Sequence, residues 1–172
     1  TVYPLYDVRA DKAVDLSKIS PNPSLRTAFL NEAYLAKFKN VLTKPAAQPG
    51  AESPVPEEEF DSGKWVERAE FSGASGRYCL LTYLSDLRFT SANASVVASM
   101  RLYLLDCEKK EVVWRKSSFH EEWMGLVGGS MERLMSSRGD NPAWKCFSAA
   151  LTDAVQAMPY MKKEASSLAA GG

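Results

Sequence analysis

Three strand-like runs follow one another in the middle of the chain and form its most regular pattern. Residues 78–89, 96–105 and 111–116 are rich in leucine, β-branched and aromatic side chains, and the third run contains the triplet Val-Val-Trp. Polar segments at 90–95 and 108–110 separate them, which is typical of antiparallel strands joined by turns. The pattern therefore predicts a three-strand antiparallel meander.

The remaining periodicity predicts three helices and further strands. We expect helices at 24–40, at 61–70 and from Asn141-Pro142 to Met158, where asparagine can cap a helix and proline fits its first turn. An opening strand at 2–8 contains a proline, which favours an edge position, and a short strand at 41–43 can join it. The expected fold is α/β (α+β), in the order βα(β)αβββα. Three helices pack on a small mixed sheet that includes the meander.

A chain of 172 residues is long enough to bury one core of its own. We expect a single globular domain at 1–160 and a flexible tail at 161–172 that is rich in small residues. The segment 45–59 holds four prolines, a glycine and several acids, and is expected to be a mobile loop.

Charge and terminal sequence narrow the function classes. Lysine plus arginine equals aspartate plus glutamate at 21 each, whereas nucleic-acid-binding proteins usually carry a basic surplus. No run of about eighteen apolar residues is present. The chain opens at Thr1 without an initiator methionine, so we expect a mature or trimmed fragment, with any targeting segment already removed.

The sequence offers no convincing catalytic, cofactor or metal site. His120 is the only histidine and has no Gly-x-Ser-x-Gly nucleophile elsewhere to serve, so we expect it in a solvated loop. The glycine-rich stretch 125–129 lacks the Lys-Ser/Thr pair of a phosphate-binding loop. Asp7 and Arg9 are either ordinary surface charges or part of a ligand or catalytic pocket beside the 45–59 loop.

An apolar segment after the meander is the best candidate for an interaction surface. Its members are Trp123, Met124, Leu126, Val127 and Met131. If exposed, such a flexible, methionine-rich surface suits a protein partner, a neighbouring subunit or a membrane surface. If buried, the same residues close one end of the core.

The three cysteines lack the spacing of a zinc site. If the first two strands of the meander pair about Asn93, Cys79 lies directly opposite Cys107, and a cross-strand disulfide can form in an oxidising compartment. The alternative is a pair of buried thiols that pack as small hydrophobic groups.

The layout as a whole resembles that of small bacterial envelope lipoproteins. The resemblance rests on the opening strand 2–9, the strands 78–86 and 100–106, the Val-Val-Trp-Arg of 112–115 and the final Ala-Met-Pro of 157–159. Related proteins include the curli-secretion lipoprotein and the lipoprotein activators of peptidoglycan synthases. One departure is the turn before Val-Val-Trp, which lacks the glycine common there.

This resemblance implies a periplasm-facing domain that is lipid-anchored to the bacterial outer membrane through a cysteine upstream of Thr1. It implies no enzymatic activity, no catalytic residues and no cofactor. The implied partners are an envelope protein or further copies of the chain, and no nucleic acid. A small-ligand-binding or enzymatic domain and a cytoplasmic location are the alternatives.

Overall fold

The computed structural model describes residues 2–16, 55–68, 77–90, 95–123 and 141–159. These residues form a mixed α+β fold. In chain order the elements are strand β1 (Val2–Asp7), helix α1 (Glu57–Ser62), a 3₁₀ helix (Lys64–Glu67), strands β2 (Tyr78–Phe89), β3 (Ser95–Asp106) and β4 (Glu111–Trp123), and helix α2 (Pro142–Gln156). The predicted helix 24–40, the predicted strand 41–43 and the tail 161–172 lie outside the described residues.

The described strands form one mixed sheet in the order β1-β2-β3-β4. β1 runs parallel to β2, whereas β2, β3 and β4 pair antiparallel and make the predicted meander. Among the described strands β1 lies at one end of the order, where its proline is tolerated.

Strand β4 is longer than its composition predicts. Its expected end was residue 116, but pairing with β3 continues to the Ser95–Trp123 pair. The second half contains Ser-Ser and Glu-Glu, which have modest or low strand propensity. Pairing along the full length of β3 overrides that local preference.

Helix α1 lies earlier than the predicted helix at 61–70 and begins inside the predicted 45–59 loop. It ends because Gly63 adopts φ of 71°, a left-handed conformation that glycine takes without steric cost. The chain then continues as the 3₁₀ helix, which places Trp65 at 0% exposure.

Both faces of the sheet carry an apolar core. On one face α2 packs on alternate side chains of β2 and β3, including Leu84, Met100 and Leu102. On the other face α1 and the 3₁₀ helix cover an aromatic cluster, in which Phe60 stacks on Tyr103 with ring centroids 4.5 Å apart. The aromatic cluster comprises Tyr3, Tyr6, Phe60, Trp65, Tyr83 and Tyr103.

Helix α2 begins where the sequence predicts. The Asn141 side-chain oxygen accepts hydrogen bonds from the backbone N–H groups of Ala143 and Trp144, and Pro142 occupies the first turn. Phe147 and Leu151 lie on the buried stripe of the helix. No helix in the described ranges combines the length and apolar character needed to cross a membrane.

Candidate interaction surface

Two aromatic side chains project from the C-terminal half of β4. Phe119 is 61% exposed and Trp123 is 72% exposed. Their strand neighbours Ser118 and His120 pair with Met100 and Ala98, which belong to the core under α2. Because side chains alternate along a strand, Phe119 and Trp123 both point to the opposite face, away from α2.

A shallow groove of about 320 Å³ lies beside Phe119 on that face. It is lined by Ser85, Ser99, Arg101, Ser117 and Phe119, together with parts of Met100 and Ser118. We call Phe119, Trp123 and this groove the outer β4 surface.

The groove begins where the cover provided by α1 ends. Tyr83 and Tyr103 lie under Phe60, and the next positions along the sheet on this face are polar. Ser85 lies at the irregularity in the pairing between Leu84 and Asp86, and its hydroxyl donates to the Ser99 carbonyl at 3.1 Å. Within the described residues, the aromatic cluster is therefore continued by an open, hydroxyl-lined surface.

One carboxylate lies between the two exposed aromatic residues. Glu121 accepts a hydrogen bond of 2.5 Å from the Ser95 hydroxyl, which fixes the position of its negative charge on this face. An aromatic–acid–aromatic row on the last strand of the described sheet can bury ring surface and pair with a basic group of a partner. Such residues suit recognition of another protein surface better than covalent chemistry.

The predicted interaction segment is only partly within the described residues. Trp123 is exposed, as the interaction hypothesis requires, whereas Met124, Leu126, Val127 and Met131 lie outside. Sequence reasoning missed Phe119 because β4 was expected to end before it. The spacing of Phe119, Glu121 and Trp123 at every second position is the sequence signal that could have indicated a longer strand with these side chains on one face.

His120 lies in strand β4, so the loop prediction was wrong. Its Nε2 is 3.7 Å from Glu122 Oε2 and its Nδ1 is 4.0 Å from Asp153 Oδ2, and both distances are longer than a hydrogen bond. Among the described residues, no three histidine, cysteine, aspartate or glutamate side chains are grouped to hold a metal ion.

Buried Arg9 and partly buried Asp7 form a structural ion pair. The Arg9 guanidinium donates to both Asp7 carboxylate oxygens, at 2.7 and 2.8 Å, and to the carbonyls of Val14 and Leu87. Burial alone would raise the pKa of Asp7, but the hydrogen bonds and charge of Arg9 hold this pKa below its ordinary value. The pair ties the segment after β1 to β2 and does not line the groove. Residues 45–54 of the loop expected to close a pocket here lie outside the described part.

Cys79 and Cys107 are not directly opposite each other, because Cys79 pairs with Leu105. Phe89 pairs with Val96, whereas pairing about Asn93 would place it opposite Val97, and the irregularity after Leu84 shifts the register further. Cys107 lies two residues beyond Leu105, on the same face as Cys79. All three cysteines carry thiols in this structure.

No protein-family model matches the sequence, and no curated protein shows significant similarity to it. The fold itself has a solved counterpart. The hypothetical protein CT253 from Chlamydia trachomatis matches with a TM-score of 0.54 and 13% identity, over 90% of this chain and 93% of that one. At this identity the likeness shows a shared fold.

Two further solved structures have lower scores. A PelC dodecamer from Paraburkholderia phytofirmans has a TM-score of 0.48 at 13% identity, covering 90% of this chain and 84% of the other. Lipoprotein GNA1162 from Neisseria meningitidis has 0.42 at 14% identity, covering 72% and 81%. At these scores nothing about assembly or anchoring transfers to this chain. The resemblance to the curli-secretion lipoprotein and to synthase activators stays a prediction.

Proposed function

We propose that this chain is a non-enzymatic, periplasm-facing lipoprotein domain that works through protein contacts in the bacterial envelope, foremost by self-association. The observation that supports it best is the exposure of Phe119 and Trp123 on one face of an outer strand. The envelope location rests on the sequence resemblance.

Burying these two rings supplies a useful part of an interface. Full burial of a large apolar side chain contributes roughly 1.5–3 kcal/mol, and aromatic residues are enriched where binding energy concentrates. The groove beside Phe119 can receive a partner side chain, with the serine hydroxyls as hydrogen-bonding groups.

The edge position of β4 in the described sheet supports a directed contact. Strand β4 has 13 residues, and β3 is its only neighbour among the described strands. Backbone N–H and C=O groups on its other side can therefore pair with a strand of a partner. Arg115, Lys116, Glu121 and Glu122 place charges of both signs along this strand. Such charges disfavour unselective edge pairing, so a partner strand with the complementary order is favoured.

The test compares the wild-type chain with the double variant Phe119→Ser, Trp123→Ser by light scattering coupled to size exclusion. We expect the wild type to self-associate with rising concentration and the double variant to stay monomeric at the same concentrations. Val113→Ser is the matched control, because Val113 is also an exposed apolar residue of β4, at 40%, but precedes the outer β4 surface.

A wild type that stays monomeric calls for a second comparison, in which both proteins are incubated with a periplasmic extract and crosslinked. Equal crosslinking patterns for the wild type and the double variant would then contradict the proposal. Anchoring is tested separately with the full open reading frame, by labelling cells with radioactive palmitate. Label that disappears when the upstream cysteine is replaced supports the lipoprotein assignment, and absence of label refutes it.

A further inference from the structure

Cys79 and Cys107 lie at one end of the sheet, where β1, β2 and β3 meet. Cys79 is fully buried in the aromatic cluster, and Cys107 packs against the same cluster while remaining partly exposed. The Cys107 N–H donates to the Arg77 carbonyl at 2.7 Å, so ladder pairing continues one step past the end of β3. The two cysteines are therefore diagonal neighbours on one face.

The two thiols are within hydrogen-bonding reach of each other, and the hydroxyl of the buried Tyr3 is hydrogen-bonded to Cys79. Diagonal neighbours in an antiparallel pair are about 7–8 Å apart at Cα, slightly beyond the usual range for a disulfide. Closing the bond therefore requires a small movement of the backbone at Cys107, which is the first residue of the turn after β3. Cys146 lies on the opposite face, with its thiol directed at the carbonyls of Val96 and His120.

We propose that Cys79 and Cys107 form a dithiol site that a disulfide donor oxidises to a cross-strand disulfide, fixing the end of β3 to β2. The dithiol site shares no residue with the outer β4 surface. It is therefore independent of the proposed self-association.

The reaction is a pair of thiol–disulfide exchanges. The thiolate of the more accessible Cys107 attacks one sulfur of the donor, forms a mixed disulfide and expels the first donor thiolate. Cys79 then loses its proton and attacks the Cys107 sulfur, which releases the second donor thiolate. The two cysteines lose two electrons, the donor disulfide gains them, and the two protons end on the two donor thiols.

The surroundings predict how this reaction depends on pH. The hydrogen bond with Cys79 and, after it, desolvation raise the pKa of Cys107 above its ordinary value. The thiolate is therefore scarce at neutral pH, and the rate of exchange should rise about tenfold for each unit of pH over the neutral to mildly alkaline range. The Tyr3 hydroxyl remains protonated because burial raises its pKa, so it can donate to the thiolate of Cys79.

The experiment equilibrates the folded chain with reduced and oxidised glutathione and maps disulfides in peptides by mass spectrometry after acid quenching. Cys146→Ser should still form the 79–107 linkage, whereas Cys107→Ser should not. Comparison with the same chain in concentrated urea measures how much the folded structure favours the 79–107 disulfide. We expect the ratio of linked to reduced protein to be at least tenfold higher in the folded chain.

Oxidation should also raise the urea midpoint of unfolding by about 1 M, because a disulfide restricts the unfolded chain. The proposal is overturned if the folded chain forms only a mixed disulfide at Cys107. It is equally overturned if the linkage is no more favourable in the folded chain than in urea. Neither result bears on Phe119 and Trp123, so a failure here is distinguishable from a failure of the proposed function.

Discussion

Lys110 has a backbone φ of 61°, in the left-handed region where a side chain is strained. It closes the turn before Val-Val-Trp, at the place where the sequence resemblance leads one to expect glycine. Lys110→Gly should therefore stabilise the protein by about 0.5–1 kcal/mol, because relief of this strain outweighs the larger entropy of the unfolded chain.

Urea unfolding followed by circular dichroism measures this change. Lys109→Gly is the matched control, since Lys109 is an exposed neighbour in the same turn without a positive φ. The control should be neutral or destabilising by a few tenths of a kcal/mol. Equal effects of the two glycine substitutions would show that strain at Lys110 is not the cause.

Asp106 is a buried carboxylate that organises the same turn. It accepts hydrogen bonds from the backbone N–H groups of Glu108 and Lys109, both at 3.0 Å, and from the Arg77 side chain at 2.8 Å. Burial alone would raise the pKa of Asp106, but these donors together hold it below its ordinary value. Asp106→Ala should reduce the free energy of unfolding at pH 7 by about 2–3 kcal/mol, because three partly buried hydrogen bonds lose their acceptor.

The sign of its pH dependence follows from the lowered pKa. The stabilisation by the charged form is fully present above the unfolded pKa of about 3.9, and is lost as the pH falls through the lower folded pKa. The difference between wild type and Asp106→Ala should therefore narrow in acid. Glu108→Gln is the control, because Glu108 is 70% exposed and 3.7 Å from Arg77. A stability difference that stays constant down to about pH 2 would contradict the assigned role of the charge.

At the scale of elements, the success of sequence reasoning depended on whether the deciding contacts are local. The start of α2 was predictable because its cap is made by Asn141 and the residues that immediately follow it. The strands β2 and β3 were predictable because buried positions dominate both. These local patterns agree with the tertiary structure.

The misplaced elements depend on contacts that are distant in sequence. The second half of β4 is held by its partner strand, and its only buried residue there is Ser118, so composition alone did not indicate a strand. Helix α1 was misplaced because Gly63 ends it before Trp65. The outer β4 surface was missed for the same reason as the end of its strand. The pairing of Cys79 was misassigned because an irregularity in register leaves no clear mark in sequence.

At the scale of the whole molecule, one sheet supports two cores. Strands β2 and β3 contribute side chains to the core under α2 and, at alternate positions, to the aromatic cluster under α1. Loss of packing on either face therefore weakens the same two strands. This coupling predicts that the described fold unfolds as one cooperative unit.

Phe147→Ala and Phe60→Ala remove one large ring from each core, since both side chains are buried. Each should lower the free energy of unfolding by about 3–5 kcal/mol, through lost burial and the cavity left behind. Tryptophan fluorescence and far-UV circular dichroism should report one shared midpoint within each variant. Lys145→Ala on the exposed side of α2 should leave that midpoint nearly unchanged. Separate transitions in the Phe60→Ala variant would instead mean that the aromatic cluster melts while β2 and β3 remain paired beneath α2.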